Sequence, residues 1–364
     1  MRIGIEANGI FGWRGPSRNT RNLIRSLIEI DNENQYYLFT AYEPNLNLPP
    51  KENYQWVWRK KRRFVPWLNV SLPLTVIRNH VEVFIFPSAN FWVWKPTRTI
   101  VLTRAARIAA YNNSLSDRIQ AWVLRKRFNR IADKLGCVSH FNATQISLSC
   151  GVDESKFVTI NNGVDPIFLD QTIRGFSEYG EYILFSGGTE PRKNLSKLLE
   201  AYKILVSRGI KEKLVLVGGK YAPSEPDLKE YVGKIEDLGL KEWVILHGVE
   251  KDTKKLASLY RGAKLVVYPS LQEDFGMISI EAMACGAPLV ASNAPSIPEI
   301  AGDAAIYFDP YDVEEMAERI ERVLKDEELR TSLILKGKER VKSFSWEESA
   351  RKLLDLIEEV GRKQ

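Results

Sequence analysis

The feature of this sequence that most restricts its fold is a repeated alternation of short apolar runs and helical patterns. In the first half the apolar runs, which predict strands, are Arg2–Ala7, Gln35–Ala41, Val81–Phe86, Ile100–Thr103 and Gly136–Ser139. Between the first two runs, apolar residues such as Leu23, Leu27 and Ile30 recur at helical spacing. Short, nearly continuously apolar strands between helices are typical of parallel sheets that are covered on both faces.

The second half of the chain starts the same pattern again. Its predicted strands are Tyr182–Ser186, Lys213–Val217, Trp243–Leu246, Leu265–Tyr268, Leu289–Ala291 and Ala305–Phe308. Its predicted helices include Lys197–Arg208, Pro226–Leu238 and Val313–Lys325. Between the two halves, Asn161–Tyr179 is rich in turn residues and is interpreted as a linker.

These patterns predict an α/β protein of two Rossmann-like, doubly wound domains with an interdomain cleft. We expect an N-terminal domain at residues 1–165 and a C-terminal domain at residues 166–345. A long amphipathic segment at 346–364 is expected to pack back on the first domain. Ligands of open parallel sheets bind at the carboxyl ends of strands, so the chemistry is expected on strand-to-helix loops.

Composition excludes several other classes of protein. The 364 residues suffice for two cores, and no run of about 18 apolar residues predicts a transmembrane helix. The N-terminus lacks the pattern of a secretory signal, so a cytoplasmic location is expected. The three cysteines and three histidines are scattered without metal-ligand spacing, and no metal site is predicted.

The loop after Leu265–Tyr268 carries the strongest chemical signal. A helix is predicted to begin near Ile278 and to end at a C-cap, Gly286. The backbone amides of Phe275, Gly276 and Met277 would then form an anion site at its N-terminus. Glu273 precedes this helix, and Glu281 lies in its first turns. Two carboxylates beside an anion site suit the hydroxyls of a nucleotide sugar, although ordinary helix-end charges explain this spacing equally well.

A second loop follows the strand Tyr182–Ser186. Gly187 and Gly188 allow the backbone to approach a ligand closely. Arg192 and Lys193 then precede a helix that is expected to start near Leu195, and they suit a diphosphate. A solvated basic helix start is the alternative.

A third loop runs from Gly9 to Gly15, after the first strand. Ser17 follows it and is expected to cap the next helix, or to offer its amide to a phosphate.

Together these loops resemble the retaining GT-B glycosyltransferases of family 4. The residues that carry the resemblance are EDFGMISIEAMACGAPLVAS from Glu273, SIPEIAGDAAIYFDP, GGTEPRKN, NNGVD at 161–165 and VSHFNATQI at 138–146. GTEPRKN is most similar to the branch of mannosyltransferases that builds surface polysaccharides. The resemblance covers most of the chain, and it implies an N-terminal acceptor domain and a C-terminal nucleotide-sugar donor domain.

The resemblance also implies roles for individual residues. Glu281 would bind the ribose, Glu273 the donor sugar, and Arg192 with Lys193 the diphosphate. The other donor-binding residues implied are Gly15, Ser17, Gly188, Val249, Phe275, Gly276, Met277 and Ile278. Catalysis would rest on Glu273, Arg192 and Lys193, with no protein nucleophile, metal or cofactor.

The activity implied is retaining transfer of a mannose-like hexose from a nucleotide sugar to a glycan or lipid-linked acceptor. GDP-mannose is the expected donor, with a UDP-sugar as the alternative. The chain departs from the family pattern at Asp274 and Ser17, where glycine is usual. It also lacks the His-Asp pair expected after Ile100–Thr103, where Arg104 or Arg107 stands, so a non-catalytic nucleotide-sugar-binding protein remains an alternative.

Charge is distributed unevenly along the chain. Residues 1–165 carry 23 Lys and Arg against 12 Asp and Glu, a net charge of +11, whereas the remainder carries 29 against 34, or −5. Basic residues mix with aromatics in Trp56–Trp67 and in Arg118–Lys134. Such segments favour an anionic membrane surface, so a peripheral location on the inner face of the cell membrane is expected. No nucleic-acid motif is present, and no nucleic-acid partner is expected.

Overall fold

The computed structural model describes residues 1–12, 15–44, 46, 48–58, 67–103, 115–219 and 228–362. The chain divides into two compact units. The first unit comprises Met1–Gly163 and Ser345–Gln364, and the second unit is Val164–Phe344.

Within its described residues, the first unit contains one parallel sheet. Its strands are β1 (Arg2–Glu6), β2 (Gln35–Thr40), β3 (Tyr54–Trp58), β4 (Val83–Phe86), β5 (Arg98–Thr103), β6 (Lys134–Cys137) and β7 (Phe157–Thr159). Their spatial order is β3-β2-β1-β4-β5-β6-β7, and every recorded pairing is parallel. All four residues of the central strand β4 are buried, which explains its continuously apolar sequence.

Helices cover this sheet. The described ones are α1 (Gly15–Ile30), α2 (Leu72–Arg78), α3 (Leu115–Arg130) and α4 (His140–Cys150). Leu23 and Leu27 of α1 join Ile3 and Ile5 of β1 in one buried cluster. A second cluster contains residues of the other three helices, such as Leu72, Phe128 and Ile146.

The second unit repeats this arrangement. Its strands are β8 (Tyr182–Ser186), β9 (Lys213–Val217), β10 (Val244–Gly248), β11 (Leu265–Tyr268), β12 (Leu289–Ser292) and β13 (Ala305–Phe308), in the order β10-β9-β8-β11-β12-β13. Its helices are α5 (Pro166–Leu169), α6 (Leu195–Ser207), α7 (Val232–Asp237), α8 (Thr253–Gly262), α9 (Met277–Cys285), α10 (Ile297–Ala301), α11 (Val313–Lys325) and α12 (Glu327–Arg340). The recorded strand pairs are again parallel.

The last helix of the chain, α13 (Trp346–Arg362), belongs to the first unit. Its buried residues Ala350, Leu353 and Ile357 lie in the same cluster as Leu27 of α1. Single turns complete the described structure: 3₁₀ turns at Asn8–Phe11, Glu154–Lys156, Pro191–Lys193, Leu228–Tyr231, Gly302–Ala304 and Val341–Ser343, and a π turn at Trp67–Ser71. Within the described ranges, no helix has the length and apolar character needed to span a bilayer.

The predicted α/β class with two doubly wound parallel sheets is confirmed. The predicted strands Tyr182–Ser186, Lys213–Val217, Leu265–Tyr268 and Ala305–Phe308 match the structure to the residue. Two strands, β3 and β7, were not predicted from the sequence. Both are edge strands without a fully buried residue, so their sequences lack the continuous apolar run that marks a central strand.

Both sheets have the same winding. In the first unit β1 lies between β2 and β4, and in the second unit β8 lies between β9 and β11. Strands are added to each sheet in two opposite directions. The direction changes between β1 and β4 in the first unit and between β8 and β11 in the second. Open α/β sheets bind ligands beyond the carboxyl ends of the strands at this reversal.

Candidate functional site

The loops that follow β8 and β11 meet at the winding reversal of the second unit. The first loop ends in the single 3₁₀ turn Pro191–Lys193, and Asn194 then adopts a left-handed conformation with φ 59° before α6 begins. The backbone amide of Leu271 donates a hydrogen bond of 2.7 Å to the carbonyl oxygen of Arg192. The predicted start of α6 at Leu195 is confirmed.

An ion cluster forms where these two loops meet. Oε1 of Glu273 lies 2.8 Å from Nη1 of Arg192 and 2.6 Å from Nζ of Lys193. The three side chains are only 12%, 17% and 11% exposed, respectively. Glu190 also pairs with Nε of Arg192. The sequence indicated Glu273 in one loop and the pair Arg192 and Lys193 in another, and the structure brings the three side chains into direct contact.

Burial and pairing compete in this cluster. Burial disfavours the charge of Glu273, but Lys193 and Arg192 outweigh this effect and lower the pKa of its carboxyl group. Burial also opposes the charge of Arg192, and the carboxylates of Glu273 and Glu190 raise the pKa of the guanidinium above its usual value. For Lys193, burial prevails over the attraction of Glu273 and lowers the pKa of its ammonium group.

Helix α9 begins directly after this cluster. Its N-cap is Gly276, with φ 101°, so the predicted start near Ile278 lies one residue into the helix. Gly286 forms the C-cap with φ 73°, which confirms that prediction. The amides of Met277 and Ile278 have no acceptor within the helix. The Phe275 ring is buried and packs edge-on against Phe344 at 5.8 Å, so this residue anchors the loop in the core.

Glu281 lies on the second turn of α9 and is only 5% exposed. Its Oε2 accepts a hydrogen bond of 3.1 Å from the hydroxyl of Tyr260 on α8. Burial and the charge of Glu281 raise the pKa of Tyr260 well above its ordinary value, so the hydroxyl is a donor at neutral pH. The sequence gives no signal for Tyr260, because an aromatic residue on the inner face of an amphipathic helix is indistinguishable from an ordinary core residue.

Close backbone contacts join the loops after β8 and β9 to each other and to the end of β10. Gly218 has φ 131°, and a Cβ atom there would lie 1.5 Å from the carbonyl oxygen of Gly187. The Gly218 amide donates to the Gly248 carbonyl at 2.8 Å. Gly188, the predicted donor-binding glycine, follows in this buried turn. The sequence offered one signal for Gly218, which is its position directly after a predicted strand.

The loop that contains Val249, a residue predicted to bind the donor, is fixed by a histidine. Nδ1 of His247 lies 2.9 Å from the Tyr179 hydroxyl, and Nε2 lies 3.2 Å from Oε2 of Glu250. The His247 and Glu250 side chains are 7% and 13% exposed. The neighbouring Val249, in contrast, is 42% exposed. The histidine therefore holds the loop, and Val249 presents its apolar side chain to solvent.

The remaining predicted residues belong to the first unit. Helix α1 begins at Gly15, so Ser17 lies inside its first turn, and the prediction that Ser17 caps this helix is wrong. Pro16, directly after the start, fits the first turn of a helix because its missing N–H has no partner there in any case. Arg104 and Arg107, and residues 59–66 of the predicted basic segment, lie outside the described residues.

Two parallel, doubly wound units with this pattern of loops define the GT-B fold, a class used by glycosyltransferases. Solved structures of the same fold cover nearly the whole chain. Sucrose-phosphate synthase from Thermosynechococcus elongatus aligns over 99% of both chains with a TM-score of 0.74 and 19% identity. The HepE protein from Anabaena, solved in complex with UDP-glucose, aligns over 99% of this chain and 100% of its own with a TM-score of 0.76 and 15% identity.

The family is indicated by sequence comparison. Residues 170–340, which lie in the second unit, match the model of the family described as glycosyl transferases group 1. The O-antigen chain mannosyltransferase B of Escherichia coli is 38% identical over 168 residues, which are 46% of this chain and 42% of that protein. The chain thus matches less than half the length of this relative. The resemblance to GT-B glycosyltransferases of family 4 is confirmed for the fold and for this domain.

Proposed function

We propose that this protein is a retaining glycosyltransferase that moves a mannose-like hexose from a nucleotide-diphosphate sugar to a glycan or lipid-linked acceptor in the synthesis of a surface polysaccharide. The observation that carries the proposal is the buried contact of Arg192 and Lys193 with Glu273, directly before the N-terminus of α9. Its position at the winding reversal of a glycosyl transferases group 1 domain supports a diphosphate-sugar site.

Each part of the site has a chemical task in this proposal. The diphosphate of the donor would bind to Arg192, Lys193 and the amides at the start of α9. Glu281, held by Tyr260, would accept hydrogen bonds from the ribose hydroxyls. Glu273 would then turn its carboxylate to hydroxyls of the donor sugar. No protein nucleophile is required, unlike in the two-carboxylate hydrolases.

The ion cluster suggests how donor binding and catalysis are coupled. Both cations are bound to one oxygen of Glu273. A diphosphate brings the negative charge that these cations need, so it would release Glu273 for the sugar. When the glycosyl–phosphate bond breaks, charge develops on the leaving diphosphate, where Arg192 and Lys193 stabilise it most strongly.

The donor base and sugar are part of the proposal. A mannose-like sugar is supported by the O-antigen chain mannosyltransferase B of Escherichia coli, and we therefore place GDP-mannose first. A UDP-sugar is the alternative, supported by the HepE structure with UDP-glucose. We further propose that the reaction is independent of metal ions and takes place on the cytoplasmic face of the cell membrane, where a lipid-linked acceptor would lie.

A donor screen tests the proposal. Melting curves recorded with GDP, UDP, ADP, GDP-mannose and UDP-glucose should show stabilisation by one nucleotide and its sugar, about 2.7 kcal/mol at a hundredfold excess over Kd. Lys193→Ala should abolish the shift. Lys197→Ala is the matched control, because Lys197 is 44% exposed and pairs with Glu200 on the surface of the same unit.

The outcomes separate an enzyme from a binder. If no nucleotide shifts the melting curve, the nucleotide-sugar site is contradicted. If one does, transfer from the corresponding sugar nucleotide is followed by NMR of the product, and retention at the anomeric carbon is expected. Binding without transfer or donor hydrolysis would favour the non-catalytic alternative.

A further inference from the structure

Eight large apolar side chains that are each more than a third exposed lie on three segments of the first unit, and we call their common surface the docking face. They are Val70, Leu74, Ile77, Val93, Trp94, Ile119, Trp122 and Val123. The described part of the chain contains 17 large apolar residues of comparable exposure, so nearly half are concentrated here. A concentration of exposed apolar side chains on adjoining segments marks a candidate interaction site.

Hydrogen bonds show that the three segments adjoin one another. The side-chain oxygen of Asn69 accepts from the Val93 amide at 3.0 Å, and Nε1 of Trp94 donates to the Asn69 carbonyl at 2.8 Å. The loop that contains Val93 and Trp94 also contains Phe91. The guanidinium of Arg127 on α3 lies 4.3 Å from the centre of the Phe91 ring. The loop therefore bridges the segment around α2 to α3.

Both helices use different residues for the core and for the docking face. Leu72 and Val76 of α2 and Leu124 and Phe128 of α3 are buried in one cluster. The exposed residues form separate stripes at helical spacing: Val70, Leu74 and Ile77 on one segment, and Ile119, Trp122 and Val123 on the other. These outward stripes play no part in the core.

The charges beside the stripes are predominantly positive, and the sequence of Leu115–Arg130 contains five Lys and Arg residues against a single acidic residue, Asp117. Arg78 and Arg130 are exposed, and Nζ of Lys126 lies 3.8 Å from the centre of the Trp122 ring. Between Trp67 and Lys95 the sequence contains a single acidic residue, Glu82. The nearby Asp133 is paired with Lys95 at 2.6 Å. An apolar surface with interfacial tryptophans and a basic rim complements the headgroup region of an anionic bilayer.

We propose that the docking face binds the surface of an anionic lipid bilayer. Leu74, Ile77 and Trp122 enter the boundary between headgroups and acyl chains, while Lys126 and Arg130 contact lipid phosphates. This inference rests on the proposed function only for the biological role of the docking face, because a lipid-linked acceptor would be reached at a membrane surface. The physical argument depends on the docking face alone.

Vesicle co-sedimentation of the full chain tests the proposal, with vesicles of phosphatidylcholine alone and of phosphatidylcholine mixed with phosphatidylglycerol. Strong binding is expected only to the anionic vesicles. L74S/I77S and K126Q/R130Q should each weaken binding about tenfold or more. Leu335→Ser is the matched control, because Leu335 is 63% exposed on α12 of the second unit, and it should bind like the wild type.

The proposal would be overturned if L74S/I77S bound vesicles like the wild type, or if the wild type bound neutral and anionic vesicles equally. It would also be overturned if sedimentation velocity showed self-association that L74S/I77S abolishes. In that case the docking face would be a contact between copies of the chain. Donor-induced melting shifts need no lipid and should be the same in all these variants. Loss of vesicle binding with an intact donor shift therefore concerns docking only, whereas loss of the donor shift concerns the proposed function.

Discussion

The ammonium group of Lys193 lies 2.6 Å from the carboxylate of Glu273, although 80 positions separate the two residues in the chain. The contact is buried and is shared with Arg192. A buried charge that loses its partner costs far more than an exposed one, so we expect this pair to contribute strongly to the stability of the second unit and, under the proposed function, to its affinity for a diphosphate.

Replacing Glu273 by Gln should destabilise the protein by about 3–5 kcal/mol at neutral pH, because Arg192 then keeps Glu190 as its anionic partner, whereas Lys193 loses its carboxylate partner. The pKa of Glu273 is lowered on folding from its ordinary value of 4.5, so its contribution is fully present above pH 4.5 and is lost on acidification below it. The difference in Tm between wild type and E273Q should therefore be largest at pH 7 and shrink towards pH 4. A difference that does not change with pH would contradict the assignment.

Replacing Tyr260 by Phe removes the hydroxyl that donates to Glu281. We expect donor affinity to fall about fivefold, the equivalent of one hydrogen bond of about 1 kcal/mol. Tyr307→Phe is the matched control, because its hydroxyl donates to the carbonyl of Gly302, away from the proposed site. Both variants should lose similar stability in urea unfolding, and only Y260F should change the donor Kd in calorimetry.

Replacing Gly218 by Ala should disturb the loop after β8, because the new methyl group would collide with the Gly187 carbonyl and the φ of 131° is unfavourable for alanine. We expect a loss of stability of roughly 1–3 kcal/mol and weaker donor binding. Gly233→Ala on α7 has open space around it and should instead stabilise by about 0.5–1 kcal/mol. Equal effects of the two substitutions would argue against the close approach.

Removal of divalent cations should leave transfer unchanged, because Arg192, Lys193 and the N-terminus of α9 provide the positive charge that a metal would otherwise supply. The measurement compares initial rates of transfer after EDTA treatment with rates after addition of Mg²⁺ or Mn²⁺. Activity that disappears with EDTA and returns with either ion would show that the protein side chains are insufficient.

The sequence by itself determined the α/β class, most central strands and the loops that carry the candidate site. Periodicity shows which residues share one face of an element, and a buried parallel strand such as β8 or β11 is apolar along its whole length. Glycines and charged residues directly after such strands were enough to select Gly188, Arg192 and Glu273. Edge strands such as β3 were missed because half-exposed strands lack this signal.

Only the tertiary structure decided which of these residues touch. The contact between Lys193 and Glu273 exists because β8 and β11 are neighbours in the sheet, and strand order is set by packing between distant segments. The same holds for Tyr260 and Glu281, which lie on different helices. The outward stripe around α2 was also not selected from the sequence, since periodicity shows that a stripe exists but not whether it faces the core or the solvent. The stripe on α3, in contrast, lies in the segment Arg118–Lys134, which its sequence already marked as basic and aromatic.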